Sequence, residues 1–157
     1  MNGKRCFLIG HREASEEIDS ALYTVIENHI LYCNVREFVV GHYGNFDRLA
    51  ARAVKSAKRW YPDVKLTLLL PYYSATQKEF LSDGFDSPLS PSGMEKVPKK
   101  AAIVRANRYM VDHTDYLIVY AHHSASNTMK LLAYARNREK KGLIQITEIP
   151  HGSFEKR

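Results

Sequence analysis

The sequence predicts an α/β domain with a Rossmann-like, doubly wound and mostly parallel sheet. Short apolar runs alternate along the chain with segments whose apolar residues recur at helical spacing. Strict alternation of strand and helix joins parallel strands by right-handed crossovers. The length of 157 residues is that of one domain. We therefore expect a single domain over residues 1–157, with a five-stranded sheet in the order 3-2-1-4-5 and helices on both faces.

Five apolar runs predict the strands. The run over residues 64–70 is nearly continuous, which is typical of a strand buried on both faces. Gly10, Gly41 and Pro71 end three of the runs, because glycine and proline break a regular strand. The predicted strands are residues 4–9, 37–40, 64–70, 116–120 and 143–149.

Cap and breaker residues predict where the helices begin and end. Ser15 is a candidate N-cap, and Ser126 or Asn127 caps the last helix. Pro62 stops the second helix because it lacks an amide hydrogen, and Gly142 suits the end of the last one. The predicted helices begin near residues 15, 45, 101 and 126.

Residues 72–99 form the least regular part of the chain, with several prolines and glycines. Such a long irregular segment inside a compact domain is usually functional. We expect it to act as a lid, with a short helix over residues 75–81. Tyr72, Tyr73 or Phe85 could stack on a base, or could serve ordinary packing.

Composition excludes several classes of protein. Apolar residues make up 45% and charged residues 25%, as in globular domains. No apolar run reaches the length of a membrane span, and residues 6–9 are too short for a signal-peptide core. Cys6 and Cys33 form no CxxC pair, and two free, buried thiols fit a reducing compartment. We expect a cytoplasmic protein that contacts no membrane and needs no cofactor.

The formal net charge of +6 leaves nucleic acid open as a partner without favouring it. The positive residues are spread over several predicted helices. The densest run, residues 136–141, lies where a helix should end, and cations there complement the helix dipole whatever the function. The sequence also leaves a homo-oligomer open, because Tyr109 and Tyr134 could be buried within the chain or across a dimer.

The turn after the first strand carries Gly10, His11 and Arg12. Ligands of doubly wound sheets bind outside the carboxyl ends of the strands, where this turn lies. Gly10 would let the backbone approach a ligand, and Arg12 could grip a phosphate with its planar fork. His11 could donate to a phosphate or a ribose hydroxyl. The alternative is that both polar residues begin a solvated helix.

The turn after the second strand has two glycines, Gly41 and Gly44, immediately before a helix. Backbone amides at a helix N-terminus can face an anion, so these glycines could form a phosphate or ribose cradle. A lone glycine pair is weak support. Asp47 could merely favour the helix N-terminus, and Phe46 could be part of the core.

The turn before the last helix carries Ser126, Asn127 and Thr128, whose small polar side chains could hold a phosphate together with the helix N-terminus. The His122-His123 pair indicates metal only weakly, since neighbours in an extended segment point in opposite directions. We predict no metal site.

These turns, taken in order, resemble the SLOG superfamily, which links DNA-processing protein A with the lonely-guy nucleotide hydrolases. The chain is most similar to the YpsA-type branch of bacterial proteins over about residues 4–147. That branch opens with a strand and Gly-His-Arg, as Gly10-His11-Arg12 does here. Its further motifs match residues 44–47 (with one extra residue before Phe46), the alanines at 50–51, and residues 105–112 and 115–119.

The resemblance implies a Rossmann-like fold and a nucleotide-type ligand, without fixing an activity. The lonely-guy enzymes carry a glycine pair and then a glutamate for N-glycosidic cleavage. In this chain the glutamate position aligns with Leu131, and Ser124-Ala125-Ser126 replaces the glycines. An apolar side chain at position 131 cannot act as an acid or base, so this chain departs from the hydrolase pattern.

Three functions follow as hypotheses. The first is a sensor or carrier that binds a nucleotide or nucleotide-derived small molecule through Gly10, His11, Arg12, Gly41, Gly44, Ser126, Asn127 and Thr128. The second is an N-glycosidic hydrolase or transferase acting on nucleoside monophosphates, with Asp47 or Glu79 as the carboxylate. The third is a single-stranded nucleic-acid-binding protein.

Asn107, on the inward face of its predicted helix, could form a hydrogen bond with a neighbouring turn or reach the ligand.

Overall fold

The computed structural model describes residues 3–71, 84–121 and 126–150. Within these ranges, six parallel strands form one sheet in the order β4-β3-β2-β1-β5-β6. The strands are β1 (Lys4–Gly10), β2 (Val35–Val40), β3 (Lys65–Leu69), β4 (Ser87–Leu89), β5 (Tyr116–Tyr120) and β6 (Gln145–Glu148). The parallel, doubly wound class predicted from the alternation is therefore confirmed.

The predicted count of five strands is wrong, because β4 adds a sixth at the outer edge beside β3. This strand has three residues and contains Pro88, so it shows neither an apolar run nor an alternating pattern. It lies in the segment 72–99, which we expected to be the least regular part of the chain and to contain no strand. The other five strands follow the predicted order, and residues 72–83, with the helix predicted at 75–81, lie outside the described residues.

Four α-helices of the described ranges connect the strands on both faces. They are α1 (Asp19–Tyr32, preceded by a 3-10 turn at Glu16–Ile18), α2 (Asn45–Lys58), α3 (Lys99–Asp112) and α4 (Asn127–Lys140). The predicted starts near residues 45 and 126 agree with α2 and α4. Gly142 ends the last helix with a positive φ of 74°, a conformation that glycine adopts without strain.

Alternation along the strands divides the core between the two faces of the sheet. Cys6 and Leu8 of β1 are buried against α1 and α2, whereas Phe7 is buried against α3 and α4. In β5, Ile118 faces the first layer and Leu117 the second. This alternation with a period of two is what a sheet covered on both faces requires.

Two expectations from the sequence concern the cysteines and the membrane. Cys6 and Cys33 are both free, although only Cys6 is fully buried. Within the described ranges, no helix combines the length and apolar character needed to cross a membrane.

Candidate functional site

A cavity of about 680 Å³ lies at the carboxyl edge of the sheet. The strand order reverses between β1 and β5, which is where doubly wound sheets bind ligands. The cavity, called here the edge cavity, is bounded by the ends of β1 and β3, the turn after β2, one face of α3 and the first turn of α4. Its lining residues are Phe7, Leu8, Ile9, Gly10, Arg12, Gly41, Tyr43, Gly44, Asp47, Leu69, Pro71, Lys100, Ala101, Ile103, Val104, Ala106, Asn107, Asn127 and Thr128.

The edge cavity brings together most of the predicted ligand residues. The six that line it, named here the anion cradle, are Gly10, Arg12, Gly41, Gly44, Asn127 and Thr128. His11 does not line it, because its side chain is only 3% exposed and packs edge-on against Tyr120. Ser126 also lies outside the lining, at the cap of α4.

The first and second turns are joined by backbone and side-chain hydrogen bonds. The amide of Asn45 donates to the carbonyl of Arg12 at 2.8 Å, and the Arg12 Nε donates to the carbonyl of Tyr43 at 2.8 Å. Gly44 permits this approach, since a Cβ added there would lie 2.7 Å from the Arg12 Cα. The two turns therefore form one unit with Arg12 between them.

The rest of the Arg12 guanidinium remains available to a ligand. Its side chain is exposed, and its two terminal nitrogens make no hydrogen bond within residues 3–71, 84–121 and 126–150. The bond from Nε to Tyr43 fixes the direction of the planar fork. A guanidinium held in this way presents two parallel donors, which is the geometry that phosphate and carboxylate groups accept.

Gly10 lets the first turn of α2 reach the cavity. A Cβ added to Gly10 would lie 2.5 Å from the ring of Phe46, which is fully buried. Phe46 also stacks on Tyr120 at the end of β5, with ring centroids 6.3 Å apart. The missing side chain at residue 10 therefore allows α2 to begin beside the end of β1.

We expect Gly10→Ala to lower the free energy of unfolding by about 2 kcal/mol, because it overpacks a filled site. Urea unfolding measures the change. The double variant Gly10→Ala/Phe46→Leu should be less destabilised than the sum of the two single variants, since the smaller side chain relieves the contact. Strict additivity would contradict the proposed clash.

The first turn of α4 supplies donors on the opposite side of the cradle. Ser126 is its N-cap and accepts a hydrogen bond from the Met129 amide at 3.1 Å. Thr128 is 8% exposed and lines the cavity, and its hydroxyl makes no hydrogen bond within the described parts of the chain. A helix N-terminus attracts negative charge through its free amides and its dipole.

The two hydroxyl residues of this turn should respond differently to mutation. We expect Ser126→Ala to lower the free energy of unfolding by about 1 kcal/mol, the usual cost of losing an N-cap. Thr128→Ser keeps a hydroxyl at the cavity and serves as the comparison. Chemical denaturation of both variants checks this, and an unchanged stability in Ser126→Ala would show that the cap contributes nothing.

Asp47, for which the sequence left open a place at the helix N-terminus or a role as the carboxylate of an enzyme, lines the edge cavity. Its Oδ2 accepts a hydrogen bond from the Tyr43 amide at 3.0 Å, and a Cβ on Gly41 would lie 3.0 Å from the same oxygen. Burial raises the pKa of Asp47 to about 6, while the Tyr43 amide and the Arg12 guanidinium act in the opposite direction. The site therefore contains a carboxyl group that changes charge near neutral pH.

One face of α3 forms the remaining wall of the cavity. Lys100, Ile103, Val104 and Asn107 all line it, and their spacing puts them on one side of the helix. Lys100 is exposed at the mouth, and Val104 is 39% exposed. Along the helix, this wall therefore presents first the positive charge of Lys100, then the apolar side chains of Ile103 and Val104, and finally the amide of Asn107.

The chain matches no family model, and no curated protein is similar to it in sequence. A search of solved structures finds similarity to DNA processing protein A from Helicobacter pylori, which was studied for its unique mode of binding single-stranded DNA. The TM-score is 0.67 at 16% sequence identity, over 96% of this chain. At this identity the similarity establishes a shared Rossmann-like fold. The aligned region spans 66% of the length of the Helicobacter chain.

Other sequence candidates do not enter the described site. Phe85 packs against the first core layer, with the Lys55 Nζ 5.3 Å from its ring centre, rather than lining the edge cavity. Tyr72, Tyr73 and Glu79, and the His122-His123 pair, lie outside the described residues.

Sequence analysis named Asp47 and Asn107 as possible site residues, and it missed the cavity roles of Lys100, Ile103 and Val104 on α3. The apolar residues gave no signal of their own, because apolar side chains on a cavity wall and in a core have the same helical spacing. A usable signal was that Lys100 and Asn107 share one face of the predicted helix with the apolar Ile103. Polar residues on an otherwise apolar helix face indicate contact with something other than the core.

Proposed function

We propose that this protein binds a nucleotide or a nucleotide-derived small molecule in the edge cavity, as a sensor or carrier. The observation that carries the proposal is a single cavity lined both by the anion cradle and by apolar walls. A nucleotide combines the matching groups, a charged phosphate and a flat base whose faces are apolar. The resemblance to the YpsA-type branch of the SLOG superfamily supports the same ligand class and a cytoplasmic role.

Several positive groups favour a phosphate at the cradle. Arg12 offers its terminal nitrogens, and the N-terminus of α4 adds amides and the positive end of a helix dipole. Lys100 lies at the mouth, and the neighbouring Lys99 is close enough to His42 to join burial in lowering the pKa of that imidazole. The phosphate would contact Arg12 and Thr128, the two sides of the cradle.

The size of the cavity also suits such a ligand. Ligand pockets commonly measure about 300–1,000 Å³ and combine apolar walls with a few fixed polar groups. The edge cavity, at about 680 Å³, lies inside this range. Its apolar walls come from Phe7, Ile9 and Leu69 on the sheet and from Ile103 and Val104 on α3.

The test is thermal melting of the purified protein with nucleoside monophosphates, nucleosides, dinucleotides and ribose 5-phosphate. A ligand that binds only the folded state raises the melting midpoint by mass action. Phosphate-bearing ligands should raise it and the matching nucleosides should not. No shift with any of them at millimolar concentration would overturn the proposal.

Single-stranded nucleic acid is the second candidate ligand, and the structural similarity to DNA processing protein A favours it. The net charge of +6 would assist such binding. A labelled oligothymidine titrated at several salt concentrations tests it, because each phosphate contact adds to the salt dependence. Binding that falls steeply with salt, without any response to mononucleotides, would favour this candidate over the first.

An N-glycosidic hydrolase or transferase is the third candidate, and Asp47 is the observation that favours it. A carboxyl group whose pKa is about 6 can hold or release a proton at physiological pH. The chromatographic assay is release of free base from nucleoside monophosphates. Release that disappears in Asp47→Asn would support catalysis, whereas binding without release would leave a sensor or carrier.

A further inference from the structure

Asn107 has no hydrogen-bond partner among the described residues, although it lies in the interior of a helix. It is near the middle of α3, and its side chain lines the edge cavity. Its amide makes no hydrogen bond to any residue that the structure describes. Asparagine is a poor residue for a helix interior, since its amide competes for backbone hydrogen bonds. Neither helix stability nor core packing therefore explains this residue.

The position of Asn107 along the cavity wall indicates what it can contact. Lys100 marks the exposed mouth, and Asn107 lies seven residues further on, which is about 10 Å along the helix axis. Ile103 and Val104 separate the two on the same face. A ligand whose charged group is at the cradle and whose ring lies between Ile103 and the sheet would bring the edge of that ring to the amide.

We infer that Asn107 is a specificity-determining residue that reads the hydrogen-bonding edge of the ligand's base. The inference rests on the proposed function and names the residue by which the protein would prefer one base over another. A carboxamide offers one donor group and one acceptor side by side, so it can pair with a base edge that presents one of each. A base without that pair of groups would leave the amide unsatisfied in a largely apolar slot, which costs affinity.

Two substitutions of Asn107 should change the base preference in different ways. Asn107→Leu keeps the approximate size and removes both hydrogen-bonding groups. Asn107→Asp replaces the donor by an acceptor, and a carboxylate only accepts. Guanine presents two adjacent donors on its pairing edge, whereas adenine presents one donor beside an acceptor. Asn107→Asp should therefore shift preference from adenine towards guanine.

The experiment compares the affinities of AMP, GMP, CMP, UMP and ribose 5-phosphate by calorimetry. The proteins are wild type, Asn107→Leu, Asn107→Asp and the control Asn137→Leu, which alters an exposed asparagine of α4. In Asn107→Leu, the affinity for the nucleotide that wild type binds best should fall by about 10-fold to 100-fold, as expected when a base edge loses its partner. Ribose 5-phosphate, which lacks a base, should keep its affinity within about two-fold.

In Asn107→Asp the affinity ratio of GMP to AMP should rise by at least about 10-fold, and Asn137→Leu should match wild type throughout. Equal base preferences in all four proteins, with ribose 5-phosphate still bound, would overturn the inference and leave the proposed function standing. Failure of wild type to bind any of the five ligands would overturn both. If Asn107→Asp does not fold, Asn107→Leu alone decides, because it introduces no charge.

Discussion

Replacement of Arg12 by alanine should weaken binding of a nucleoside monophosphate by about 100-fold. A charge-assisted hydrogen bond contributes about 1.5–3 kcal/mol, and the guanidinium can make two in parallel. The fold should tolerate the change, because the side chain is exposed and loses its bond to the Tyr43 carbonyl and its electrostatic attraction to Asp47, but no core contact. Calorimetric titration gives the affinity, and the melting midpoint without ligand checks the fold.

Two further variants separate geometry from charge. Arg12→Lys keeps the positive charge without the planar fork, so its affinity should fall between those of wild type and Arg12→Ala. Arg59→Ala removes the same charge from the exposed end of α2, outside the cavity lining. Equal losses in Arg59→Ala and Arg12→Ala would mean that net charge alone attracts the ligand. Unchanged binding in Arg12→Ala would contradict the anion cradle.

Asp47→Asn should stabilise the protein by up to about 3 kcal/mol above pH 6. The pKa of Asp47 is about 6 in the folded protein, against an ordinary value of 3.8, and each pH unit of difference corresponds to about 1.36 kcal/mol. Above pH 6 both states are ionised, and burial makes the charge more costly in the folded state. An amide removes this cost while its oxygen can still accept the Tyr43 hydrogen bond.

The direction of the pH dependence makes this prediction specific. Below about pH 3.8 the carboxyl is protonated in both states, so the advantage of Asp47→Asn should shrink as the pH falls from about 6. Urea unfolding between pH 4.5 and 8, with Asp63→Asn as an exposed-carboxylate control, measures the difference as a function of pH. An advantage that is constant with pH would mean that the gain does not come from ionisation of Asp47.

Most of the fold could be predicted because the local signals agree with the tertiary structure. Residues 116–120 were predicted as a strand and form β5, since a short apolar run rich in β-branched and aromatic residues is typical of a strand buried on both faces. Strand β4 could not be predicted from its own three residues, because the neighbouring β3, and not local propensity, holds it in the sheet. Helix α3 begins two residues before its predicted start, as helix ends are weakly encoded.

The site could be predicted only where chain topology brings turns together. Gly10, Arg12 and Gly44 follow strands that end at the same edge, so their proximity followed from the fold class. On the inward face of α3 the sequence left Asn107 open between a structural bond and a ligand contact, because the orientation of this helix over the sheet depends on packing. Asp47 was likewise left open between the helix N-terminus and a carboxylate of the site, since sequence does not show on which side of the turn a carboxylate lies.

The short edge strand β4 has a consequence for the behaviour of the protein at high concentration. A long, flat edge strand offers unpaired backbone groups on which a strand of another molecule can assemble. Here the outermost strand on that side has three residues and includes Pro88, which has no amide hydrogen to offer. Among the described strands, the β4 edge of the sheet is therefore protected against intermolecular strand addition, because so short a strand leaves little backbone on which another molecule can assemble.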